Sequence, residues 1–426
     1  MAFANLVYPG AIHTRFEHSL GVCHVAGLLS DSLKISEEDK RLVRLAALLH
    51  DLGHGPFSHI SEQILEIYTD KESLPKHISK TEKIHELITS DIILKNHDLK
   101  RLIGQAKCEK IANLLKEGYG DPLLRSVVSG PLDADKQDYL LRDSYFCGVK
   151  YGIFDFKQLH RELRSVDDLS TGKQLMISED GVHALEQFVL AKYYLTTQVY
   201  MHRIRLITDQ MLTRAMILGI ETDKIEEIEK LYKYSCDEDY VQNYIRWDDT
   251  KILVSFTCDK FKGKYCHKLL KRLQERQLLK LVFRKKINEL PEECRDTLRK
   301  ISKPEYRTER KNLEGCLCKV VCRTIKDKCF RQIRIADEDA NMFIVHTYTI
   351  KSVRTESRND EASILVEDGS AHNHFEDVST LFQSINENLS ELFVEVYAPV
   401  EYDSPAARRE MFNLLDVPIK ETIGSF

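Results

Sequence analysis

The sequence predicts a mainly α-helical protein in two parts, an all-α bundle over residues 1–215 and an α+β region over residues 216–426. Apolar residues recur at helical spacing through the first part, which shows neither strand–helix alternation nor a glycine-rich phosphate loop. Alternating apolar residues begin only after Gly315. The length of 426 residues is enough for two domains.

The first part contains segments that we expect to be helical. Ser36 is the expected N-cap of one of them, because acidic residues follow it and apolar residues then recur at helical spacing. Gly53 ends this helix just after His50 and Asp51. The predicted helices span residues 15–33, 36–49, 58–68, 83–94, 134–145 and 182–218.

The second part is expected to be helical over residues 223–310 and to form strands afterwards. The predicted strands lie in residues 316–322, 331–335, 342–350 and 392–397, with a loop or short hairpin at 354–373 and a short helix at 406–415. Cys316, Cys318 and Cys322 either bind a second metal together with Cys329 or are buried structural thiols on one strand face. Their even spacing favours the buried thiols.

Composition limits the functional classes. The net charge of -5 is small for this length, so no global field marks a nucleic-acid binder. The sequence has no long apolar run and no basic N-terminal segment, so neither a membrane span nor a signal peptide is expected. The 11 scattered cysteines are typical of reduced thiols, which favours a cytoplasmic protein.

The histidines predict a metal site. Residues 50–59 read His-Asp-Leu-Gly-His-Gly-Pro-Phe-Ser-His, and imidazole with carboxylate suits divalent metals. Neighbours on a helix point about 100° apart, so His50 and Asp51 can hold one ion only at a helix end. His18 and Asp135 can complete the site from other helices, as in bundle-core metal sites. The alternative is an ordinary hydrogen-bonded polar role for each residue.

Three motifs resemble those of the HD-domain phosphohydrolases, and within them the deoxynucleoside triphosphate (dNTP) triphosphohydrolase family. The motifs are His-Thr-Arg-Phe-Glu-His-Ser-Leu-Gly-Val at 13–22, the segment at 50–59, and Asp-Lys-Gln-Asp-Tyr-Leu-Leu-Arg-Asp at 135–143. The resemblance covers residues 5–215 well and continues weakly to about residue 400. The chain resembles the catalytic core of the SAM-and-HD-domain members, without the SAM domain.

The resemblance implies cleavage at the α-phosphate, with release of deoxynucleoside and intact inorganic triphosphate. The implied ligands of a divalent ion (Mg, Mn, Fe, Co, Ni or Zn) are His18, His50, Asp51 and Asp135. The catalytic histidines match His54 and His85. Glu62 stands where the family has an aspartate, and its carboxylate can still orient an imidazole.

A triphosphate needs cations and donors besides a metal. Arg15 lies on the helical face of His18, Lys136 adds a point charge, and by resemblance His59 contacts phosphate. Tyr139 either stacks under the sugar or is a core aromatic. Asp143 resembles the family residue that meets the sugar 3′-hydroxyl.

The resemblance also implies a homo-oligomer, dimer or tetramer, and an activating nucleotide. Candidate contacts for that nucleotide are Arg164, His202, Arg203, Arg276 and Lys280. The basic stretch 262–290 is either this phosphate-binding surface or a solvated helical face. The family's guanine-activator segment precedes the first motif and has no counterpart before His13, so we expect different regulation or an earlier start.

Two other functions stay open from sequence. One is an HD phosphohydrolase acting on nucleoside monophosphates or (p)ppGpp. The other is a catalytically idle nucleotide sensor or nucleic-acid-binding protein that uses residues 262–290. The intact His50, Asp51, His54 and Asp135 argue against an idle protein.

Overall fold

The computed structural model describes residues 2–74, 83–116, 120–168, 172–303, 306–327, 333–335, 339–350, 364–368, 371–384 and 391–426. The chain divides into two compact units that interleave along the sequence. The first unit contains residues 1–205, 229–249 and 352–388, and the second contains residues 206–228, 250–351 and 389–426. The single domain boundary after residue 215 stays a prediction.

Helices dominate the described chain, so the mainly α class is confirmed. They are α1 Arg15–Ser32, α2 Glu37–Leu49, α3 His59–Tyr68, α4 Ile84–Lys95, α5 His97–Ile103, α6 Gln105–Leu115, α7 Pro122–Val128, α8 Ala134–Cys147, α9 Phe156–Glu162, α10 Val182–Leu195, α11 Arg203–Glu221, α12 Glu226–Tyr232, α13 Glu238–Tyr244, α14 Asp249–Phe256, α15 Tyr265–Gln274, α16 Glu292–Ile301, α17 Arg307–Asp327, α18 Phe375–Val378, α19 Thr380–Gln383 and α20 Pro405–Gly424. None of the helices described is long and apolar enough to cross a membrane.

The strands form small sheets within each unit. They are β1 Leu163–Asp168, β2 Gly172–Ser178, β3 Lys280–Lys286, β4 Ile333–Ile335, β5 Ile344–Ile350, β6 Leu365–Asp368, β7 Ala371–His374, β8 Glu391–Ala398 and β9 Val400–Tyr402. The first unit holds the sheet β1-β2-β6-β7, in which only β2 and β6 pair in parallel. The second unit holds the antiparallel sheets β3-β8-β5 and β4-β9.

Local sequence explains where the helices that carry the site begin. Thr14 and Glu17 form a reciprocal capping box at α1. Ser36 accepts a hydrogen bond from the Asp39 amide at α2, which confirms the predicted cap. Asp133 does the same for the Lys136 amide at α8. The inner faces of these helices enter one apolar core, which includes Val22, Ala26, Leu29, Val43, Ala46, Ala47 and Leu140.

The strand predicted over residues 316–322 is wrong, because this stretch lies inside α17. Leu313, Leu317, Val321 and Ile325 are buried at four-residue spacing, which is a helical period. Cys318 and Cys322 share that buried face, whereas Cys316 is exposed. The buried-thiol interpretation therefore holds for two of these cysteines and is wrong for Cys316. The fourth candidate ligand, Cys329, lies outside the described residues.

Other elements differ from the prediction in extent. The helix predicted over 182–218 is divided into α10 and α11 by a π-helical turn at Thr196–Tyr200. β1 and β2 lie within the part expected to be all-α. The short helix expected at 406–415 extends to Gly424, although Pro418 lies inside it. The strands predicted at 342–350 and 392–397 are confirmed as β5 and β8.

Leu29 provides a test of the first unit's core. Its side chain is 0% exposed, so Leu29→Ala should lower the free energy of unfolding by about 3 kcal/mol through lost burial and a cavity. Leu102 is 77% exposed, and Leu102→Ala should change it by less than about 0.5 kcal/mol. Urea titration followed by circular dichroism measures both. Equal effects of the two variants would contradict the burial of Leu29 in the core.

Candidate metal centre and active site

Two histidines and two aspartates converge in the first unit. His18 Nε2 lies 3.0 Å from Asp135 Oδ1 and 3.7 Å from Asp51 Oδ2. His50 Nε2 lies 3.2 Å from Asp51 Oδ1 and 3.6 Å from Asp135 Oδ1. The structure thus brings together the four residues that the sequence indicated as ligands. One ligand atom from each of His18, His50 and Asp135 lies within 4.8 Å of the others, so the group can hold a metal ion.

The outer nitrogens of both imidazoles are fixed by other groups. His18 Nδ1 lies 2.8 Å from Asp138 Oδ2, and His50 Nδ1 lies 2.7 Å from the Ala47 carbonyl oxygen. Each ring therefore turns Nε2 toward the carboxylates, as metal-ligating histidines do. His50 Nε2 is buried and has no hydrogen-bond partner among the described residues. A divalent cation would satisfy that nitrogen, so the donor set fits a metal.

Asp138 is a residue that the sequence interpretation missed. It accepts hydrogen bonds from Arg142 Nε at 2.7 Å and Nη2 at 2.9 Å, besides its contact with His18. Arg142 is therefore committed to holding this carboxylate. The signal was available, because Asp138 lies three residues after Asp135 and four before Arg142, on one helical face.

A close approach of α1 and α8 allows this contact. A Cβ atom on Gly21 would lie 1.9 Å from Asp138 Oδ1, so no side chain fits at that position. Glycine lets the two helices come near enough for His18 of α1 to reach both Asp135 and Asp138 of α8. His50 caps the end of α2, which frees Asp51 to turn toward the same place.

The charges of the cluster depend strongly on one another. Burial opposes a charged His18, but contacts with Asp135 and Asp138 outweigh it and raise the pKa of His18 to about 10. Burial is likewise outweighed at His50, where Asp51 and Asp135 raise the pKa to about 8. Burial also opposes a charged Asp135, yet its contacts with His18 and His50 hold its pKa below the usual range. The surroundings are thus strongly negative once the imidazoles are neutral, which suits a divalent cation.

A second group, formed by His54, Glu62 and His85, lies beside the first. His54 Nε2 is 3.4 Å from Asp51 Oδ1, and His54 Nδ1 is 2.8 Å from Glu62 Oε1. The rings of His54 and His85 stack with centroids 4.4 Å apart. Glu62 thus reaches the imidazole despite its longer side chain.

The two stacked histidines differ in their proton affinity. Burial opposes protonation of His54, but its contacts with the carboxylates of Asp51 and Glu62 outweigh burial and raise its pKa above the usual value. Burial, with the charge of His54, lowers the pKa of His85 to about 4, although Glu62 acts in the opposite direction. His54 is therefore the better proton carrier near neutral pH, while His85 stays neutral.

Residues 53–58, which connect the two groups in sequence, are restricted in both side-chain size and backbone conformation. A Cβ atom on Gly53 would lie 2.0 Å from the His85 carbonyl oxygen, so only glycine lets α4 approach this loop. Phe57 and Ser58 have φ values of 59° and 56°, which non-glycine residues rarely adopt. Ser58 Oγ accepts a hydrogen bond from Arg15 Nε at 2.7 Å. Such strain persists where the surrounding structure imposes it, often at functional sites.

Two cavities of about 690 and 380 Å³ meet at these residues. Asp51, His54, His59 and Asp135 line both. The larger cavity is also lined by Glu62, His85, Lys83, Lys116 and Lys136. The smaller is also lined by His13, Arg15, His18, Tyr139, Asp143, Tyr200 and Arg205. The predicted substrate residues are therefore divided between two spaces that share the histidine and aspartate groups.

The predicted phosphate contacts occupy different settings. Arg15 Nη1 pairs with Asp51 Oδ2 at the edge of the cluster of His18, His50, Asp51 and Asp135. The His59 side chain is 69% exposed, and its Nδ1 lies 3.0 Å from Glu62 Oε1. Lys136 Nζ donates to the Gly130 carbonyl oxygen and to Asp133 Oδ2, each at 2.8 Å. A phosphate would have to draw this ammonium group away from those partners.

Asp143 lies in the smaller cavity, where both of its oxygens are engaged. Oδ1 is 2.7 Å from His13 Nε2, and Oδ2 accepts a hydrogen bond from Tyr200 OH at 2.6 Å. The guanidinium of Arg205 lies 5.4 Å from the centre of the Tyr200 ring. Sequence reasoning gave no role to His13, Tyr200 or Arg205. The π-helical turn that ends at Tyr200 was the hidden feature, since such turns are frequent at functional sites.

The predicted activator residues lie in both units. Arg164 is exposed and donates to the carbonyl oxygens of Arg161 and Leu163, and Arg203 is exposed. His202 is half-buried and packs edge-on against Tyr8. Arg276 and Lys280 are exposed in the second unit. A shared nucleotide site for these residues stays a prediction.

Asp138→Asn tests the support of His18. The variant should lower metal affinity about 10–100-fold, because the imidazole loses the carboxylate that orients it. Asp98→Asn is the matched control, since Asp98 also pairs with an arginine on its own helix but is 76% exposed. Chelator competition with metal analysis of the protein measures the change. Unaltered affinity in Asp138→Asn would contradict the orienting role.

Comparison with known proteins identifies two family regions. Residues 15–128 match the HD domain, and residues 154–311 match the HD associated region. The uncharacterized protein YwfO of Bacillus subtilis is 32% identical over 219 residues, which are 50% of this chain and 46% of YwfO.

Relatives that carry an enzyme name are more distant. The deoxynucleoside triphosphate triphosphohydrolase SAMHD1 of Homo sapiens is 29% identical over 307 residues, 65% of this chain and 48% of that protein. The SAMHD1 homolog of Dictyostelium discoideum is 28% identical over 292 residues, 65% of this chain and 52% of that protein. The chain spans about half the length of the curated relatives it matches.

Solved structures share the fold. A phosphohydrolase from Bacteroides thetaiotaomicron aligns with a TM-score of 0.67 and 20% identity, over 93% of this chain and 90% of that chain. A hypothetical protein from Aquifex aeolicus aligns with a TM-score of 0.63 and 23% identity, over 98% of this chain and 90% of that chain. At these identities the likeness shows a common fold alone.

Proposed function

We propose that this chain, which matches the HD domain and the HD associated region and resembles the SAMHD1 proteins, hydrolyses dNTPs to deoxynucleoside and inorganic triphosphate. One observation carries the proposal. The His/Asp cluster and the His54–Glu62–His85 group lie together where two cavities meet. One cavity offers tyrosines and a buried carboxylate for a nucleoside, and the other offers imidazoles and ammonium groups for phosphates.

We assign His18, His50, Asp51 and Asp135 as the ligands of a divalent ion. When bound, such an ion supplies Lewis-acid polarisation of a phosphoryl oxygen and lowers the pKa of water. The donor set of two imidazoles and two carboxylates suits Mn, Fe, Co, Ni or Zn better than an all-oxygen site would, while Mg also accepts carboxylates. Asp138 keeps His18 in the tautomer that leaves Nε2 available.

His54 is the proposed proton donor to the 5′-oxygen that leaves. Its raised pKa keeps a proton available near neutral pH, and the carboxylate of Glu62, 2.8 Å from Nδ1, orients the ring. His85, neutral and stacked on His54, can accept a hydrogen bond or hold a phosphate-bound proton. The carboxylate of Glu62 stabilises the imidazolium when the proton is present.

The smaller cavity is the proposed nucleoside site. Tyr139 is half-buried there, with its ring centroid 6.3 Å from that of Tyr200, so both rings can pack against a sugar or base. Asp143 can accept a hydrogen bond from a 3′-hydroxyl, because each carboxylate oxygen has two lone pairs and each uses one on His13 or Tyr200. Arg15 bridges Asp51 and Ser58 and lies where negative charge on the substrate would be neutralised.

Asp135→Ala tests the metal assignment. It removes a charged ligand, so the purified variant should contain less than about a tenth of the wild-type metal and show no detectable hydrolysis of any dNTP. Asp180→Ala, at an exposed position, is the control and should keep both metal and activity. Metal analysis and chromatography of the products measure the result. Full activity of Asp135→Ala with normal metal content would contradict the assignment.

His54→Ala tests the proton donor. The variant should retain its metal but lose about 10²–10⁴-fold in kcat, the usual contribution of general acid catalysis. His97→Ala, at an exposed histidine, should leave kcat unchanged. Product analysis of the wild type decides the reaction itself, because intact triphosphate is released only by cleavage at the α-phosphate. Turnover of nucleoside monophosphate or (p)ppGpp alone, or nucleotide binding without turnover, would replace the proposed function.

A further inference from the structure

Three imidazole nitrogens point at one carboxylate oxygen beside the metal-ligand cluster. Glu62 Oε1 lies 2.8 Å from His54 Nδ1, 3.0 Å from His59 Nδ1 and 3.9 Å from His85 Nδ1. One ligand atom from each of His54, Glu62 and His85 lies within 4.8 Å of the other two. A catalytic pair needs one imidazole and one carboxylate, so this arrangement holds more donors than proton transfer requires.

The contacts around His54 leave its Nδ1 close to a carboxylate but, within the described chain, without a hydrogen bond of good geometry. The His54 side chain is only 7% exposed, and its Nδ1 makes no well-aligned hydrogen bond within the described residues, although Glu62 is near. A buried polar atom of this kind is costly unless something binds it. The exposed imidazole of His59 and the imidazole of His85 on α4 both lie near the same carboxylate oxygen of Glu62. Further metal-binding nitrogens are therefore close to His54 Nδ1.

We propose that His54, Glu62 and His85 form a second metal site, selective for Zn²⁺ or a similar nitrogen-binding ion, and that its occupation inhibits the enzyme. The site is separate in its ligands from His18, His50, Asp51 and Asp135. Two imidazoles and a carboxylate are a donor set typical of zinc, whereas Mg²⁺ prefers oxygen ligands alone. The exposed imidazole of His59 can supply a fourth ligand, since its ring already contacts Glu62.

Inhibition follows from the proton chemistry and rests on the proposed function. When Nδ1 of His54 binds a metal, the ring keeps a proton only on Nε2. Loss of that proton would produce an imidazolate anion. Because the anion is unfavourable, the metal-bound ring is a far weaker acid than an imidazolium. Glu62 would also lose its role in orienting the ring. An enzyme supplied with Mg²⁺ or Mn²⁺ would therefore lose its proton donor when Zn²⁺ fills the second site.

The stoichiometry of zinc tests the site without any activity assay. Metal-free wild-type protein titrated with Zn²⁺ against a chromophoric chelator should bind two ions per chain. His85→Ala and the isosteric Glu62→Gln should each bind one, and circular dichroism checks that both fold. His183→Ala is the matched control and should bind two, because His183 is 90% exposed and pairs at i,i+3 with Glu186 alone among the carboxylates described. One ion per chain in the wild type, or two in both site variants, would overturn the proposal.

The inhibitory role has its own readout. With saturating Mg²⁺ or Mn²⁺, Zn²⁺ added up to occupation of the second site should reduce dNTP hydrolysis more than tenfold, and a chelator should restore it. Unchanged hydrolysis with two ions bound would overturn the inhibitory part. If no dNTP is hydrolysed under any condition, the proposed function fails, while the zinc stoichiometry still decides the second site.

Discussion

The first unit depends on one constraint, which is that a group of buried charges must compensate one another. The group consists of His18, His50, Asp51, Asp135 and Asp138. A buried carboxylate costs several kcal/mol unless an opposite charge or hydrogen-bond donors compensate it. Here every carboxylate faces an imidazole or a guanidinium, and each imidazole touches more than one carboxylate. Because the residues lie on α1, directly after the end of α2 and on α8, a shift of any of these helices would leave a charge uncompensated. The arrangement that suits a metal ion also fixes the helices.

The second histidine group depends on the first through a short strained segment. Asp51 contacts both His50 and His54, so one carboxylate belongs to both groups. Gly53 lets α4 approach, which brings His85 against His54, and the unusual backbone at Phe57 and Ser58 turns the chain toward His59. The strained backbone costs free energy, and the hydrogen bond from Arg15 to Ser58 helps to hold it. The positive φ values of Phe57 and Ser58 lower the stability of the fold locally, at a position beside the candidate site.

The cavities place this chemistry between two different environments. Aromatic rings and Asp143 line the smaller space, and lysines with His85 line the larger. A substrate with a nucleoside at one end and charged phosphates at the other fits such a division. The imidazoles of His54, His59 and His85 also make the surroundings of Glu62 rich in nitrogen. Metal inhibition would then be a consequence of concentrating imidazoles in one active site.

Sequence patterns within one helical turn predicted where helices begin. Patterns that suit both a helix and a strand did not predict the correct element. The caps at Thr14, Ser36 and Asp133 act within one turn, so the starts of their helices follow from neighbouring residues. The Val-Val-Cys run of residues 320–322 is compatible with either a strand or a helix, and only packing of Leu317 and Val321 in the second core selects the helix. The sequence pattern predicted one continuous helix across the π-helical turn at Thr196–Tyr200.

The sequence by itself indicated the candidate metal ligands and the helices that carry them. His50 and Asp51 at a glycine-broken helix end, with His18 and Asp135 on other helices, were sufficient to indicate a metal centre. Only the tertiary structure decided which nitrogen each ring presents, that Asp138 orients His18, and that Glu62 can reach His54 and His59. The reason is physical: helical periodicity repeats over a few residues, whereas these contacts join side chains that are up to 120 residues apart and depend on how closely helices pack.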